Sequence, residues 1–289
     1  MMILSVALCT FNGGEFITEQ LDSIINQTLK VNEIIICDDG SSDKTIEILK
    51  SYKLKYPELI KIYINNKSLG TIKNFEKAIS ICSGELIFLS DQDDIWCNNK
   101  VDKFQSYFIK NMNCKLLFSN GELIDNKGGR LESTLWDKWG FNEQLQLSWI
   151  NNKNVFKDLI MNKNKITGAT LCIHSSLKKN ILPIRVPLGY WHDAFLGIHA
   201  AALNGLYFIN ESLIYYRVHK RQQVGLSSKI QANITEKSNP DFILKKKFYS
   251  ILRKKHPKMK PFIPILPRDY FVKKIIKKII KKIKRNNVR

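Results

Sequence analysis

The strongest constraint on the fold is an alternation in the first 98 residues. Four apolar runs, Ile3–Cys9, Glu33–Cys37, Leu59–Ile64 and Glu85–Ser90, are separated by stretches with helical spacing. Ile3–Cys9 is continuous rather than alternating, as expected of a strand covered on both faces. After the Phe11–Gly14 break, Phe16, Ile17, Leu21, Ile24 and Ile25 fall on one helical stripe. Lys44–Tyr56 reads as a helix closed by Pro57, and Thr71–Ser80 as a third helix after the Asn65–Gly70 loop. Parallel neighbours need long crossovers, which helices fill, so this βαβαβαβ order predicts a mainly parallel sheet flanked by helices. The second half gives shorter signals. Lys115–Ser119, Leu171–His174, Leu206–Ile209 and Leu213–Tyr216 read as strands, and Val101–Lys110 and Trp191–Asn204 as helices.

Ligands of open α/β sheets bind beyond the carboxyl ends of the strands. Three polar clusters fall at such ends: Thr10–Asn12, Asp38–Asp43 and Asp91–Asp94. Were they to converge, Asp38, Asp39, Asp91, Asp93 and Asp94 would share one crevice. Carboxylates at close range stay ionised only if something positive joins them. A hard divalent cation that also holds phosphate oxygens meets that need. Asp38–Asp43 has a plainer reading as a turn that opens a helix. There is no G-x-x-x-x-G-K-[ST] loop and no G-x-G-x-x-G, which removes a P-loop and disfavours a nicotinamide cofactor.

Charge separates the chain into body and tail. The formal net charge is +20, yet 18 of the 46 basic residues lie in 241–289, beside only Asp241 and Asp269. A basic coat for nucleic acid is therefore not expected, because the excess sits in one terminal block. The six cysteines are scattered with no C-x-x-C pair, which predicts free thiols and a reducing, cytosolic setting rather than a zinc site. The apolar N-terminus lacks a basic leader and is too short for a signal peptide, and no run reaches the length of a spanning helix.

Taken in order, Cys9-Thr10-Phe11-Asn12-Gly13, Asp38-Asp39-Gly40-Ser41-Ser42-Asp43 and Ser90-Asp91-Gln92-Asp93-Asp94 resemble family-2 glycosyltransferases of the GT-A fold. The resemblance covers roughly residues 3–225. The run Ser90–Trp96, with Trp191-His192-Asp193 and Tyr216-Arg217-Val218-His219, looks like the bacterial rhamnosyltransferase-type branch, which builds surface polysaccharides. It implies a GT-A nucleotide-diphospho-sugar transferase fold with a Rossmann-like sheet. It also implies a nucleoside-diphosphate sugar donor, rhamnose among the sugars, and Mg²⁺ or Mn²⁺. By position, Thr10, Phe11 and Asn12 would line the nucleotide pocket and Asp39 would bond the base. Asp91 and Gln92 would lie by the ribose, and Asn74 would approach the nucleotide. Asp93 and His219 would ligate the metal, with Arg217 against the diphosphate. Asp193 would be the base that takes the acceptor's proton, at a helix start whose dipole favours the anion. Trp191 and His192 would face the acceptor, although His192 has an equally plain reading as a buried imidazole. The run Lys220–Gly225 is more basic than related sequences.

The expected division is 1–225 for the transferase domain, with 1–98 as its nucleotide half and 99–225 as its acceptor half. A linker and basic helical segment, 226–267, and an amphipathic helix, 268–289, follow. In Phe271–Lys284 the Ile doublets gather on one helical face and the Lys doublets on the other. Such a helix suits an anionic membrane surface, or it docks on the protein's own body. The first option places the protein peripherally at the cytoplasmic face of the plasma membrane, near a lipid-linked glycan acceptor. The competing functional reading is a non-catalytic sugar-nucleotide-binding scaffold at the membrane.

Overall fold

A computed structural model describes residues 2–151, 155–161, 164–186, 190–220, 222 and 242–263. The expected amphipathic helix 268–289 and most of the 226–267 linker lie outside these residues. The apolar runs form strands where the sequence places them: β1 (Leu4–Thr10), β2 (Glu33–Asp38), β3 (Ile60–Ile64) and β4 (Leu86–Ser90). Helices α1 (Ile17–Ile25), α2 (Thr45–Lys55) and α3 (Thr71–Ile81) connect them. Every residue of β1, β2 and β4 is buried. That is why these strands read as continuous apolar runs. Each buried Ile or Leu contributes about 1.5–3 kcal/mol relative to exposure.

The remaining elements follow as β5 (Ile95–Trp96), α4 (Lys100–Lys110), β6 (Leu116–Ile124), β7 (Arg130–Thr134), α5 (Leu135–Trp139) and α6 (Glu143–Ile150). Then come α7 (Val155–Met161), β8 (Leu171–His174), α8 (Lys178–Ile181), α9 (His192–Ala202), β9 (Leu206–Arg217) and α10 (Phe242–Lys255). The strands join in the order β3-β2-β1-β4-β8-β6-β9-β5, with β7 on β6. The β3-β2-β1-β4 half is parallel, β8 is antiparallel to both neighbours, and β9 runs parallel to β6.

The chain order reverses between β1 and β4. Strands β2 and β3 add on one side of β1, and β4 returns to the other. A crevice opens where crossovers diverge at such a point. The carboxyl ends of β1 and β4 therefore bring Thr10–Asn12 beside Asp91–Asp94.

Two expected strands, Leu206–Ile209 and Leu213–Tyr216, are one twelve-residue strand. Its pairing with β6 shifts register between Ser119 and Asn120, and the polar break Asn210–Ser212 falls at that irregularity. Helices α5 and α6 were not expected. Thr134 caps α5 through a reciprocal pair with Asp137, and Asn142 caps α6 through Leu145 N–H. The helices bury Trp136, Phe141 and Trp149 around Phe118 and Phe208, with ring centroids 4.8–6.3 Å apart. Trp136 and Trp149 are thus core residues.

Candidate active site

The floor of the crevice is a hydrogen-bonded bridge between β1 and β4. Gln92 Oε1 accepts from Thr10 Oγ1 and from Phe11 N–H, each at 2.7 Å, and Gln92 Nε2 donates to Phe11 O at 3.2 Å. A side chain on Gly13 would strike Gln92, its Cβ lying 2.3 Å from Oε1, so the close approach requires glycine there. Asn12 takes φ of 51°. Its N–H donates to Ser41 Oγ and its Oδ1 accepts from Ser42 N–H, both at 2.8 Å.

The five aspartates do not form one close cluster. Strands β2 and β4 flank β1, so with neighbours about 4.8 Å apart their ends stand about 10 Å apart. Asp38 folds its own turn, accepting from Gly40 and Ser41 N–H. Asp43 accepts from Gly14 and Thr45 N–H ahead of α2. The plainer reading of those two is the correct one. Asp39 is distinct: both its oxygens are taken, by Asn65 Nδ2 (2.8 Å), Ser68 Oγ (2.6 Å), Leu69 N–H (2.7 Å) and Gly70 N–H (2.9 Å). Burial pushes this carboxyl up, but the hydrogen bonds from Leu69, Ser68, Asn65 and Gly70 outweigh it and hold it below the ordinary range. Asn74, expected near the nucleotide, bolts α3 to β2 in this structure. It donates to Cys37 O at 2.7 Å and accepts from Asn65 at 2.9 Å.

Asp91, Asp93 and Asp94 do cluster. Burial, then the charges of Asp93 and Asp193, push Asp91 up to about 8. Burial, then Asp93 and Asp91, push Asp94 well up too. Its Oδ1 accepts from Arg217 N–H at 3.0 Å, while its buried Oδ2 has no partner. His219 Nε2 lies 2.8 Å from Asp93 Oδ2. The two expected metal residues are therefore in direct contact. Carboxylate oxygens and an imidazole suit a hard divalent cation such as Mg²⁺ or Mn²⁺. The orphaned Asp94 oxygen and the like charges that raise Asp91 and Asp94 leave room for a further cation, so the donors fit such an ion. Among the described residues no three His, Cys, Asp or Glu side chains enclose a common point. A cation here would complete its shell with phosphate oxygens and water.

Arg217 does not face outward. Its side chain is 1% exposed. Nε donates to Asp93 O at 2.9 Å, Nη1 to the carbonyls of Asp125 (3.3 Å) and Asn126 (3.2 Å), and Nη2 pairs with Glu19. The guanidinium stands 4.7 Å from the Phe16 ring centroid, and Phe16 also packs on His219 at 4.8 Å. In this arrangement Arg217 braces the Asp93 backbone, and most of its N–H groups already meet protein acceptors.

Across the crevice, α9 begins at His192 with Trp191 as its cap residue. Asp193 Oδ1 accepts from Ala194 N–H at 2.6 Å, and Gly168 N–H and the Asn164 side chain also bond the carboxylate. The helix start was expected to keep Asp193 fully ionised. Burial wins instead and, against those hydrogen bonds, pushes the group up to about 7. His192 is 5% exposed, with both ring nitrogens unpartnered. It stacks on Phe75 at 4.3 Å, and burial drives its pKa down to about 4. It is a buried imidazole, but not a hydrogen-bonded one; Trp191 is half-buried beside Asp193.

Some participants were not anticipated from sequence. Ser68–Gly70 closes over Asp39, and Gly168 and Asn164 hold Asp193. Lys100 lies fully buried behind Asp91 and Asp94. A signal for Lys100 existed: it shares the apolar stripe of α4 with Val101, Phe104 and Phe108.

The sequence profile of "Glycosyl transferase family 2" matches residues 5–164. An uncharacterised glycosyltransferase of Rickettsia typhi is 32% identical over 222 residues, covering 76% of this chain and 65% of that protein. The dTDP-rhamnosyl transferase RfbG of Shigella flexneri is 30% identical over 243 residues, covering 78% and 76%. The chain thus spans just under two thirds of the Rickettsia relative. Among solved structures, S. aureus TarS 1–349 in complex with UDP-GlcNAc superposes with a TM-score of 0.57 at 20% identity, covering 88% of this chain and 65% of that one. GalNAc-T7 with UDP, GalNAc and Mn²⁺ gives 0.57 at 14% identity, covering 76% and 44%. These structures share the GT-A fold, and the strand-end aspartates fall within the matched segment: the chain belongs to glycosyl transferase family 2.

Proposed function

We propose that this glycosyltransferase moves a deoxyhexose, rhamnose foremost, from a nucleoside-diphosphate donor to a hydroxyl of a glycan acceptor, with inversion. The relative named as a dTDP-rhamnosyl transferase supports the donor class. The observation that carries the chemistry is Asp193, a partly buried carboxyl near neutrality whose charge is felt by Asp91. A base works best when its pKa lies near the working pH. The acceptor oxygen attacks the anomeric carbon, the bond to the diphosphate breaks, and Asp193 takes the hydroxyl proton. The products are a glycoside of inverted configuration and the nucleoside diphosphate.

Asp93, with His219 against it and Asp91 beside it, would hold Mg²⁺ or Mn²⁺. Such an ion neutralises the charge that builds on the departing diphosphate. Thr10 and Phe11 shape the nucleotide side through Gln92, and Trp191 stands on the acceptor side. The acceptor is read as a lipid-linked glycan of a bacterial surface polysaccharide. The cationic tail would hold the enzyme peripherally at the cytoplasmic face of the membrane, with residues 1–225 as the catalytic body. The test is nucleoside-diphosphate release and product NMR with dTDP-rhamnose, Mn²⁺ and lipid-linked acceptors. Asp93→Ala and Asp193→Ala are expected to abolish transfer. Full activity in both variants, or nucleotide binding without turnover in the wild type, would reject the reading.

A further inference from the structure

Lys100 stands at a place where two forces oppose a cation. It opens α4, at the positive end of the helix dipole, and it is 0% exposed. Burial pulls its pKa down to about 7, against the charges of Asp94, Cys172, Cys97 and Asp91. Its Nζ has one hydrogen-bond acceptor, Ala169 O at 2.9 Å, and rests 3.8 Å from the Trp96 ring centroid. A methionine would fill this space without desolvation. The two things it could not do are donate to Ala169 O and bring positive charge toward Asp91 and Asp94.

Ala169 lies in the buried turn Gly168–Thr170 that opens β8. Thr170 N–H and Oγ1 both bond Thr167 O, at 3.0 and 2.8 Å, and Trp139 Nε1 donates to Thr167 Oγ1 at 3.0 Å. Gly168 has no room for a side chain, since a Cβ there would lie 2.8 Å from His192 Nε2. His192, against which Gly168 packs, is the residue before Asp193 at the start of α9. Gly168, the residue next to the carbonyl gripped by Lys100, is thus packed against the start of α9.

We infer that Lys100 is a positioning residue of the transfer reaction: its ammonium fixes the turn at Gly168–Thr170 that packs against the start of α9, where Asp193 lies, and so ties the acidic cluster to the base. The inference rests on reading Asp193 as that base. Without the ammonium, the Ala169 carbonyl loses its buried donor, the turn can shift, and the start of α9 that carries Asp193 shifts with it. Displacements of about 1 Å in such a site cost about 100-fold in rate.

The test compares full-length wild type, Lys100→Met, Lys100→Arg and Asp193→Asn. The probes are Mn²⁺ alone, followed by tryptophan fluorescence, and dTDP-rhamnose with Mn²⁺, followed by nucleotide release. Lys100→Met is expected to lower kcat by about 10- to 100-fold while the donor KM stays within about twofold. Its Mn²⁺ affinity should hold or rise, because a neighbouring cation has gone. Lys100→Arg, which keeps charge and donors, should recover part of kcat. Wild-type kcat in Lys100→Met overturns the proposal. Parallel loss of kcat, Mn²⁺ affinity and thermal stability also overturns it, as the mark of a merely structural lysine. Full turnover in Asp193→Asn would instead overturn the underlying assignment of the base.

Discussion

Asp193 sits between two opposing effects. Hydrogen bonds from Ala194, Gly168 and Asn164 favour its anion, while burial favours the acid and prevails, leaving the group at about 7. Near neutrality it is thus poised to exchange a proton, and the rate of transfer should rise with pH through an ascending limb around 7, absent in Asp193→Asn. The loss in kcat is expected to be about 10²- to 10⁴-fold, the usual worth of a positioned base. A stability consequence follows with its sign. A carboxyl whose folded pKa is raised contributes stability below its unfolded pKa of 3.8, and that contribution is lost as pH climbs through about 7. The Tm of metal-free Asp193→Asn should therefore exceed that of wild type by a margin that grows from about pH 4 to 7. Calorimetry at a series of pH values, reported as the difference between the two proteins, checks this. A margin that shrinks with pH would contradict it.

At the scale of elements, the site depends on polar bolts between strands and helices. The end of β9 delivers Arg217, whose guanidinium collects carbonyls from Asp93, Asp125 and Asn126. Arg217→Met would leave those buried acceptors without donors. It should cost about 2–4 kcal/mol in urea melts and weaken Mn²⁺ binding by loosening Asp93. On the other side of β1, Asn74 joins α3 to the end of β2 and orients Asn65 toward Asp39. Asn74→Ala should cost about 1–3 kcal/mol and lower nucleotide affinity while Mn²⁺ affinity stays near wild type, because Asp93 is held from β9. Equal losses of both affinities would show that the two sides of the crevice are not independent.

The whole molecule divides its charge. Negative groups concentrate at the carboxyl ends of β2 and β4, and the basic residues collect toward the end of the chain. No helix among the described residues is long and apolar enough to cross a membrane. In the proposed reading membrane association rests on the cationic tail, each Lys near an anionic surface adding about 1 kcal/mol. Removing residues 268–289 is expected to abolish co-sedimentation with phosphatidylglycerol vesicles and to leave nucleotide binding in solution unchanged. Unchanged sedimentation would end the membrane reading.

Half of this protein could be read before any coordinates. The strands β1, β2 and β4 were legible because both faces are buried, which forces a continuous apolar run, and the helices between them because one face is. Their order placed the ligand crevice, and the motifs at the strand ends pointed to its residues. The tertiary structure decided which of those residues are free to act. Arg217 and Asn74 carry the same side chains whether they meet a ligand or hold a strand, and only packing distinguishes the two. Asp39 and Asp91 look alike in sequence, yet four converging donors hold one low while burial among like charges raises the other. The state of Asp193 and the place of Lys100 belong to the fold for the same reason. Desolvation and field depend on residues distant in the chain, and periodicity along the chain carries no trace of them.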